Sequence, residues 1–443
     1  MANIKISSKT ILCIFVFCFP IMPLYFQIVG ISAINILCML LCMCVALMYS
    51  VKININHKSS VLFIVIAAWI ICRCISYSMT GYMTEIIYFL LRTVGVFWAL
   101  DTMVKNRNMF MKLIKALVWS AVFVSFFGLV EAVTHFNIFS LLNASEVLNY
   151  NPLRFGILRI LSFSSHAIVY GVYLMFGMSL CLYYMQFVKG NKRHRNIYMV
   201  AYVLIWLNMI LSLSRSIIIL ALLAQFMILY FSGARKLFKI LFRITCATLL
   251  LYVVSLFLFP NVARIFENLW YMVLAVFNNN YSTRIAASFG DDNLVAMGHR
   301  MKLFRWVLGA MPGHWVVGHG LESSFNYGYT ASNEMYMWMQ YKKGIEVQYL
   351  DLLYRYGLIG LISEVIVYIT LVCSAIKLGL KKTEWENVVS FNAVCFSVLS
   401  CYFVQMFAVN QSSDINIFYI FVIVFIIYNK RGKFEAEEKA LKN

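Results

Sequence analysis

The chain has 443 residues, of which 62% are hydrophobic and 12% charged, and its formal net charge is +19. A soluble protein of this size carries roughly twice that charged fraction, and apolar runs of about 18 or more residues are typical of membrane-spanning helices. These runs are continuously apolar rather than alternating. The composition therefore excludes a soluble domain and a membrane β-barrel.

The basic excess and the cysteines could suggest other partners, but neither does so here. Cytoplasmic loops of membrane proteins are enriched in Lys and Arg, so we expect no nucleic-acid partner despite the attraction of basic chains for phosphate. The twelve cysteines lie in apolar runs without metal-ligand spacing. We therefore expect no disulfide framework, no metal and no cofactor.

Twelve apolar runs predict an all-α polytopic membrane protein with about twelve transmembrane helices in a single integral-membrane domain, residues 1–443. The predicted runs are Thr10–Val29, Ile31–Ser50, Val61–Tyr77, Glu85–Leu100, Leu113–Val133, His166–Phe187, Asn196–Leu213, Ser216–Ser232, Ile244–Phe259, Leu353–Ile376, Val388–Val409 and Ile415–Tyr428.

The positive charges predict the orientation. When the chain alternates from a cytoplasmic N-terminus, every inner connection is positive and the short outer connections are almost free of Lys and Arg. Both termini are then cytoplasmic. Two outer segments are long: one near 134–165, and a large periplasmic loop, 260–351, inserted between the ninth and tenth spans.

The outer segments contain several arginines. Arg suits phosphate oxygens because its planar fork donates two hydrogen bonds and stays charged. Positive charge on this face is disfavoured by topology, so the arginines indicate an anionic partner such as a lipid diphosphate, or else contacts with phospholipid headgroups. They are Arg154, Arg159, Arg215, Arg264, Arg284, Arg300 and Arg305.

Arg215 stands in a tight turn between two spans, in the sequence Leu211-Ser-Leu-Ser-Arg-Ser216. Ser214 or Ser216 can cap the following helix. A fixed cation beside the positive end of a helix dipole favours an anion between them; the alternative is that Arg215 extends to headgroups.

The segment Gly298–Met311 predicts a short amphipathic helix on the outer surface. Met301, Phe304 and Leu308 share a stripe that we expect to pack on the bundle, with Arg300 directed at a headgroup-level site. Pro312 ends the helix, and Gly318–Gly320 predicts a flexible turn.

Two carboxylates stand where the long loop re-enters the membrane. Glu346 could act as a general base that takes a proton from an attacking sugar hydroxyl. Asp351 could do the same, or could form a structural ion pair with Arg355 or Arg300. Within the apolar runs, Arg73, Glu85, Arg92 and Glu131 should face the bundle interior, and we expect Glu85 and Arg92 each to pair with another helix.

In order, these motifs resemble the superfamily of O-antigen polymerases and ligases (Wzy and WaaL). They are SRS at 214–216, GHRMKLFRW at 298–306, PGHWVVGHGL at 312–321 and EVQYLDLLYRYGLIGL at 346–361. The resemblance implies a GT-C-like membrane glycosyltransferase that transfers glycan from undecaprenyl diphosphate at the periplasmic face. It implies inversion at the sugar carbon without metal, and Arg215 and Arg300 holding the diphosphate. From their charge and their position on the outer face, Arg159, Arg305 and Asp351 are further substrate-binding candidates.

Ligases carry a His-Asn pair where this chain has Glu346-Val347, which favours polymerase over ligase. We expect a bacterial inner-membrane enzyme that polymerises lipid-linked oligosaccharide into O-antigen or capsule-like polysaccharide, with a chain-length regulator as a further partner. The alternatives are an O-antigen ligase that uses lipid A-core, a lipid-linked oligosaccharide flippase, although no internal repeat is visible, and an inactive scaffold.

Overall fold

The computed structural model describes most of the chain. The residues outside the description are 1–7, 24, 50–60, 143–152, 155–156, 188–191, 233–294 apart from a few helical positions between 239 and 267, 321–322, 324–344, 346, 378–389, 408–415 and 431–443. About half of the predicted ninth run and most of the predicted 260–351 loop lie outside the described residues; the described positions of the ninth run, among them 250–254, are helical.

The described chain is helical, with two short antiparallel hairpins. The helices are α1 Ser8–Cys18, α2 Ala33–Met48, α3 Val61–Met79, α4 Met83–Leu90, α5 Val96–Met103, α6 Arg107–Thr134, α7 Ala167–Met185, α8 Lys192–Leu211, α9 Arg215–Ser232, α10 Val295–Ala310, α11 Gln348–Lys377, α12 Phe391–Gln405 and α13 Asn416–Lys430. A 3₁₀ turn follows α1 at Phe19–Ile21, a second spans Ile138–Leu142, and a π-helical segment, Leu91–Gly95, joins α4 to α5. The strands β1 Gln27–Ile28 and β2 Ile31–Ser32 pair, as do β3 Leu153–Arg154 and β4 Ile157–Leu158.

Five helical segments are long and apolar enough to cross a membrane by length and composition, and six shorter apolar helices accompany them in the described residues. Together they fall on every predicted run except the ninth. The prediction of a helical protein with several membrane spans is confirmed in this form, and the count of twelve stays a prediction. The five are Val61–Met79, Met83–Met103, Arg107–Thr134, Ala167–Met185 and Gln348–Lys377.

Helix α7 lies at the centre of the core. It is apolar and buried around almost its whole circumference, as expected for a helix surrounded by others, and it contacts α6, α8, α9 and α12. A second group forms where α3 packs along α11 and against α4. Many rings interlock edge to face in the core, among them Phe176 with Phe421 at a centroid distance of 4.6 Å.

The connections predicted to lie outside the membrane meet one another at one end of the bundle. Tyr25 donates to the carbonyl of Phe163, and Asn416 donates to the carbonyl of Met22. Further contacts of this kind join Ile160 to Leu211 and Gln348 to Met406, and place Gly320 beside Thr80 and Tyr82. We call this end of the bundle the outer end.

The charges inside the apolar runs are placed partly as expected. Arg73 and Glu131 are buried. The prediction that Glu85 and Arg92 pair with other helices is wrong: Arg92 Nη2 lies 3.7 Å from Glu85 Oε2. The two residues are about two helical turns apart on one face, and both side chains are long enough to meet along it.

Candidate functional site

The first long outer segment is hydrogen-bonded to the turn before α9. Arg159 Nε donates to the carbonyl of Ser212 at 3.1 Å, and Nη2 donates to Ser214 Oγ at 2.6 Å. Leu213 in this turn has φ 49°, the left-handed region that non-glycine residues rarely occupy. The structure thus brings Arg159 to the turn that immediately precedes Arg215.

Arg159 carries a charge that no described carboxylate balances. Among the described residues it forms no ion pair, and both of its hydrogen-bond acceptors are neutral oxygens. Burial lowers the pKa of the Arg159 guanidinium to about 10. The side chain is still protonated at neutral pH, so an anion placed beside it would offset its lost hydration.

A buried carboxylate fixes the segment that carries Arg159. Glu131 of α6 accepts the backbone N–H of Ser162 at 2.7 Å and the backbone N–H of Leu161 at 3.2 Å. Asn137 donates to the carbonyl of Ser162 at 2.7 Å. These bonds attach the residues that follow Arg159 to the outer end of α6. The backbone next to Arg159 is therefore fixed in position.

Helix α9 begins at Arg215, one residue before the predicted run that starts at Ser216, and the serines beside Arg215 bond to other partners. We expected Ser214 or Ser216 to cap the helix; Ser214 Oγ instead accepts from Arg159, and Ser216 Oγ accepts from Gln405 Nε2 at 3.1 Å. The side chain of Arg215 lies outside the described part of the structure.

The end of α12 connects the starts of α9 and α11. Gln405 at this end donates to Ser216, the residue after Arg215, and the carbonyl of the next residue, Met406, accepts from the backbone N–H of Gln348 at 3.1 Å. Gln348 follows Glu346 by two residues. Helix α12 therefore joins the residue after Arg215 to the first residue of α11, although the two are far apart in sequence.

Asp351 forms the structural ion pair with Arg355 that was one of its predicted roles. Its Oδ1 accepts from Arg355 Nε at 2.8 Å, and its side chain is 2% exposed. The same oxygen accepts the backbone N–H of Ile345 at 3.4 Å, and the Asp351 N–H donates to the carbonyl of Val347 at 2.9 Å. Asp351 thus holds the backbone on both sides of Glu346, which lies outside the described residues.

Helix α10 forms where the sequence predicted it, but the predicted packing stripe is wrong. Leu303 and Val307 face the bundle, whereas Phe304 and Leu308 are exposed. Apolar residues lie on two sides of this helix, so spacing alone could not identify its packed side. The packed side contacts four residues around the start of α11: Ile345, Val347, Leu350 and Leu353.

The predicted arginines of α10 take different positions. Arg300 precedes Leu303 by three residues and Val307 by seven, so helical spacing puts position 300 on the packed side, although its side chain lies outside the described residues. Arg305 is exposed on another side of the helix. The structure thus brings Arg159 to the turn before Arg215 and packs the helix that carries position 300 on Ile345 and Val347, while Arg305 is exposed on that helix.

Helix α11 is broken at Gly357, which the sequence did not reveal. Gly357 has φ 63° and ψ −164°, a combination that only glycine adopts readily. The segment Trp315–Gly320 pairs with the freed backbone groups: His319 and Gly320 donate to the carbonyls of Tyr354 and Arg355, and Leu358 and Ile359 donate to those of Trp315 and Val316. The turn predicted to be flexible is hydrogen-bonded to the break.

Side chains also fix this segment. The ring of His319 stacks between those of His314 and Tyr354, with centroid distances of 4.0 and 4.2 Å. Gly318 has φ 80°, and a Cβ there would lie 2.5 Å from the carbonyl carbon of Arg355. Burial lowers the pKa of His319, which favours the neutral ring at this contact.

We expect Gly357→Ala to destabilise the protein by about 1–3 kcal/mol or more. The alanine would need an unfavourable backbone conformation, and its Cβ would collide with the carbonyl of Val316. Gly309→Ala is the matched control, because a Cβ there meets no atom within 4 Å and alanine favours helix. Thermal unfolding of both variants in one detergent checks this; equal midpoints would contradict it.

Part of the chain is similar in sequence to a known protein family. Residues 200–364 match the sequence model of a family described as O-antigen ligase, Wzy_C. The match begins in α8, includes the turn at Arg215 and helix α10, and ends in α11 after the break. A search of curated proteins finds no match.

Proposed function

We propose that this chain, whose residues 200–364 match a family described as O-antigen ligase, belongs to the superfamily of O-antigen polymerases and ligases and polymerises lipid-linked oligosaccharide repeat units at the outer face of the bacterial inner membrane. The donor is a glycan on undecaprenyl diphosphate, and the acceptor is the terminal sugar of another lipid-linked glycan. Transfer inverts the anomeric carbon and requires no metal, and both termini of the chain are cytoplasmic.

The unbalanced charge of Arg159 carries this proposal. A half-buried guanidinium without a described counter-charge is costly, and it lies against the turn that begins the Arg215 helix. Two further features favour an anion here, namely the positive end of the α9 dipole and Arg215 itself. A diphosphate offers the negative charge that this group of cations lacks.

The arginines act on the leaving group. As the glycosidic bond breaks, negative charge develops on the diphosphate, and donors already in position stabilise it without reorganisation. Arg215 and Arg300 bind the diphosphate directly, and Arg159 supports them from the neighbouring segment. Arg305, exposed on α10, meets the headgroup region or a more distal part of the lipid-linked substrate.

Glu346 acts as the general base in this proposal. It takes the proton of the acceptor hydroxyl while that oxygen attacks the anomeric carbon. A new glycosidic C–O bond forms as the anomeric C–O bond to the diphosphate breaks, and the lipid diphosphate departs. Asp351 is a positioning residue, because its carboxylate binds the Ile345 N–H on one side of Glu346 and Arg355 on the other.

A reconstitution experiment tests the proposal. The purified chain in liposomes receives lipid-linked repeat units alone, or together with lipid A-core, and products are separated by length. Elongation in the absence of lipid A-core supports the polymerase. Transfer only in its presence would instead establish a ligase, which the description of the matched family favours. Movement of the lipid without any new bond would identify a flippase.

We expect Arg159→Met to raise the KM for the lipid-linked donor by about tenfold while the thermal stability of the substrate-free protein is unchanged or higher. Methionine fills similar space without a charge to desolvate, and binding sites commonly sacrifice stability in this way. Donor titrations and thermal unfolding measure the two effects. A large fall in stability with unchanged KM would assign Arg159 a purely structural role.

A further inference from the structure

The side chain of Arg73 in α3 contacts both sides of the break in α11. Its Nη2 donates to Glu364 Oε2 at 2.8 Å, and Glu364 lies seven residues after Gly357. The same guanidinium lies 3.9 Å from the ring centroid of Tyr356, the residue immediately before Gly357. A single cation therefore bridges the outer part of α11, Gln348–Tyr356, and the part that continues after the break.

The ion pair is held from several directions. Glu364 accepts from Trp69 Nε1 and from the hydroxyl of Tyr368, each at 2.6 Å, in addition to Arg73. The side chains of Arg73 and Glu364 are only 6% and 3% exposed. A buried pair is stable only when such extra hydrogen bonds satisfy its charges, so the position of the Arg73 guanidinium is fixed by contacts from two helices.

The contact with Tyr356 is the second half of the bridge. Nη1 of Arg73 is buried and has no hydrogen-bond partner among the described residues, so the electron-rich face of the Tyr356 ring compensates this part of the cation. Such contacts strengthen when water is excluded. Tyr77 packs edge-on against the same ring, with centroids 5.7 Å apart, and keeps Tyr356 in place over the guanidinium.

We propose that Arg73 is a positioning residue for the outer site: it sets the angle between the two parts of α11. That angle determines where the outer part lies, and with it the Asp351–Arg355 pair and the backbone next to Glu346. The consequence for catalysis rests on the proposed function. The effect on the break rests only on the contacts of Arg73.

Two variants remove the bridge from opposite sides. Arg73→Met combined with Glu364→Gln removes both charges together, so no unpaired charge remains buried, and the side-chain amide that replaces the carboxylate can still accept from Trp69 or Tyr368. Tyr356→Leu removes only the ring. The matched control is Arg92→Met with Glu85→Gln, which removes the ion pair between these two side chains. That pair lies along α4 and the π-helical segment rather than across the break.

Hydrogen exchange in nanodiscs measures how well the amides at the break are protected, independently of enzymatic activity. The amides of His319, Gly320, Leu358 and Ile359 are hydrogen-bonded across it. We expect both bridge variants to exchange about tenfold faster or more in peptides covering 315–320 and 354–359, since local opening sets amide protection. Peptides of α12 should be unchanged, and the control variant should match the wild type throughout.

The kinetic readout separates positioning from substrate binding. We expect kcat for elongation to fall about 10- to 100-fold while the KM for the lipid-linked donor stays within about twofold, because small misplacement of a reacting group lowers the rate rather than affinity. Arg73→Lys, which retains the charge but lacks the planar stack on Tyr356, should restore part of kcat.

Each outcome decides a different point. Unchanged exchange around the break in both bridge variants overturns the inference, whatever their activity. Faster exchange with wild-type kcat overturns the positioning role in catalysis. A wild-type protein that does not elongate lipid-linked repeats overturns the proposed function, and the exchange data then still decide whether Arg73 sets the break.

Discussion

Arg215→Ala is expected to lower kcat/KM for elongation by about 100-fold or more, the loss typical for removing one donor that stabilises developing negative charge. Both constants should change, because the guanidinium binds the diphosphate before reaction and stabilises it further as it leaves. Arg215→Lys should be intermediate, since an ammonium offers a charge without the bidentate fork. Rates come from product ladders at several donor concentrations.

The structure supplies a matched control for Arg215. Arg195 also stands in the first turn of an apolar helix, α8, but on the predicted cytoplasmic side, and it is exposed. Arg195→Ala should elongate at the wild-type rate. If Arg215→Ala also did so, with equal protein in the membrane, the diphosphate would have to be bound elsewhere.

The helices were predictable because a membrane span requires a long apolar run. Val61–Tyr77 became α3, Val61–Met79, and the run from Ser216 became α9 with its first residue one position earlier. These matches depend on local composition alone. The packed side of α10 was not predictable in the same way, because apolar residues lie on two sides of this helix and two of them, Phe304 and Leu308, are exposed.

The long-range contacts of the site could not be derived from local sequence. Arg73 and Glu364 are 291 residues apart, and the sequence around either residue does not indicate the other as its partner. The break at Gly357 was hidden for a related reason. Apolar residues continue on both sides of it, so the run looks unbroken, and only the paired segment Trp315–Gly320 shows where its backbone groups are satisfied.

Among the site residues, too, short-range pairs were predictable and long-range partners were not. Asp351 and Arg355 stand four residues apart, so their pairing was among the alternatives that helical spacing offered. Arg159 was a substrate-binding candidate because of its charge, but the sequence did not indicate its hydrogen-bond acceptors, Ser212 and Ser214. Gln405, which binds beside Arg215, carried no signal in the sequence, because an amide in an apolar run has many ordinary explanations.

Glu346→Gln is expected to lower kcat for elongation by about 100- to 10,000-fold, the contribution of a well-placed general base, with little change in KM for the donor. Glutamine preserves the size and hydrogen bonding of the side chain but cannot take the hydroxyl proton. The backbone on either side should be undisturbed, since Asp351 binds the Ile345 N–H and α10 packs on Val347.

Single-turnover elongation, with Glu85→Gln as the control carboxylate, measures this loss. Glu85 also lies near the outer end, but it pairs with Arg92 rather than with the start of α11. Glu346→Asp should recover part of the rate. Aspartate retains a carboxylate base, but its shorter side chain places that base farther from the acceptor hydroxyl. Wild-type kcat in Glu346→Gln would assign the proton to another group, and the ion-paired Asp351 would then be the next carboxylate to test.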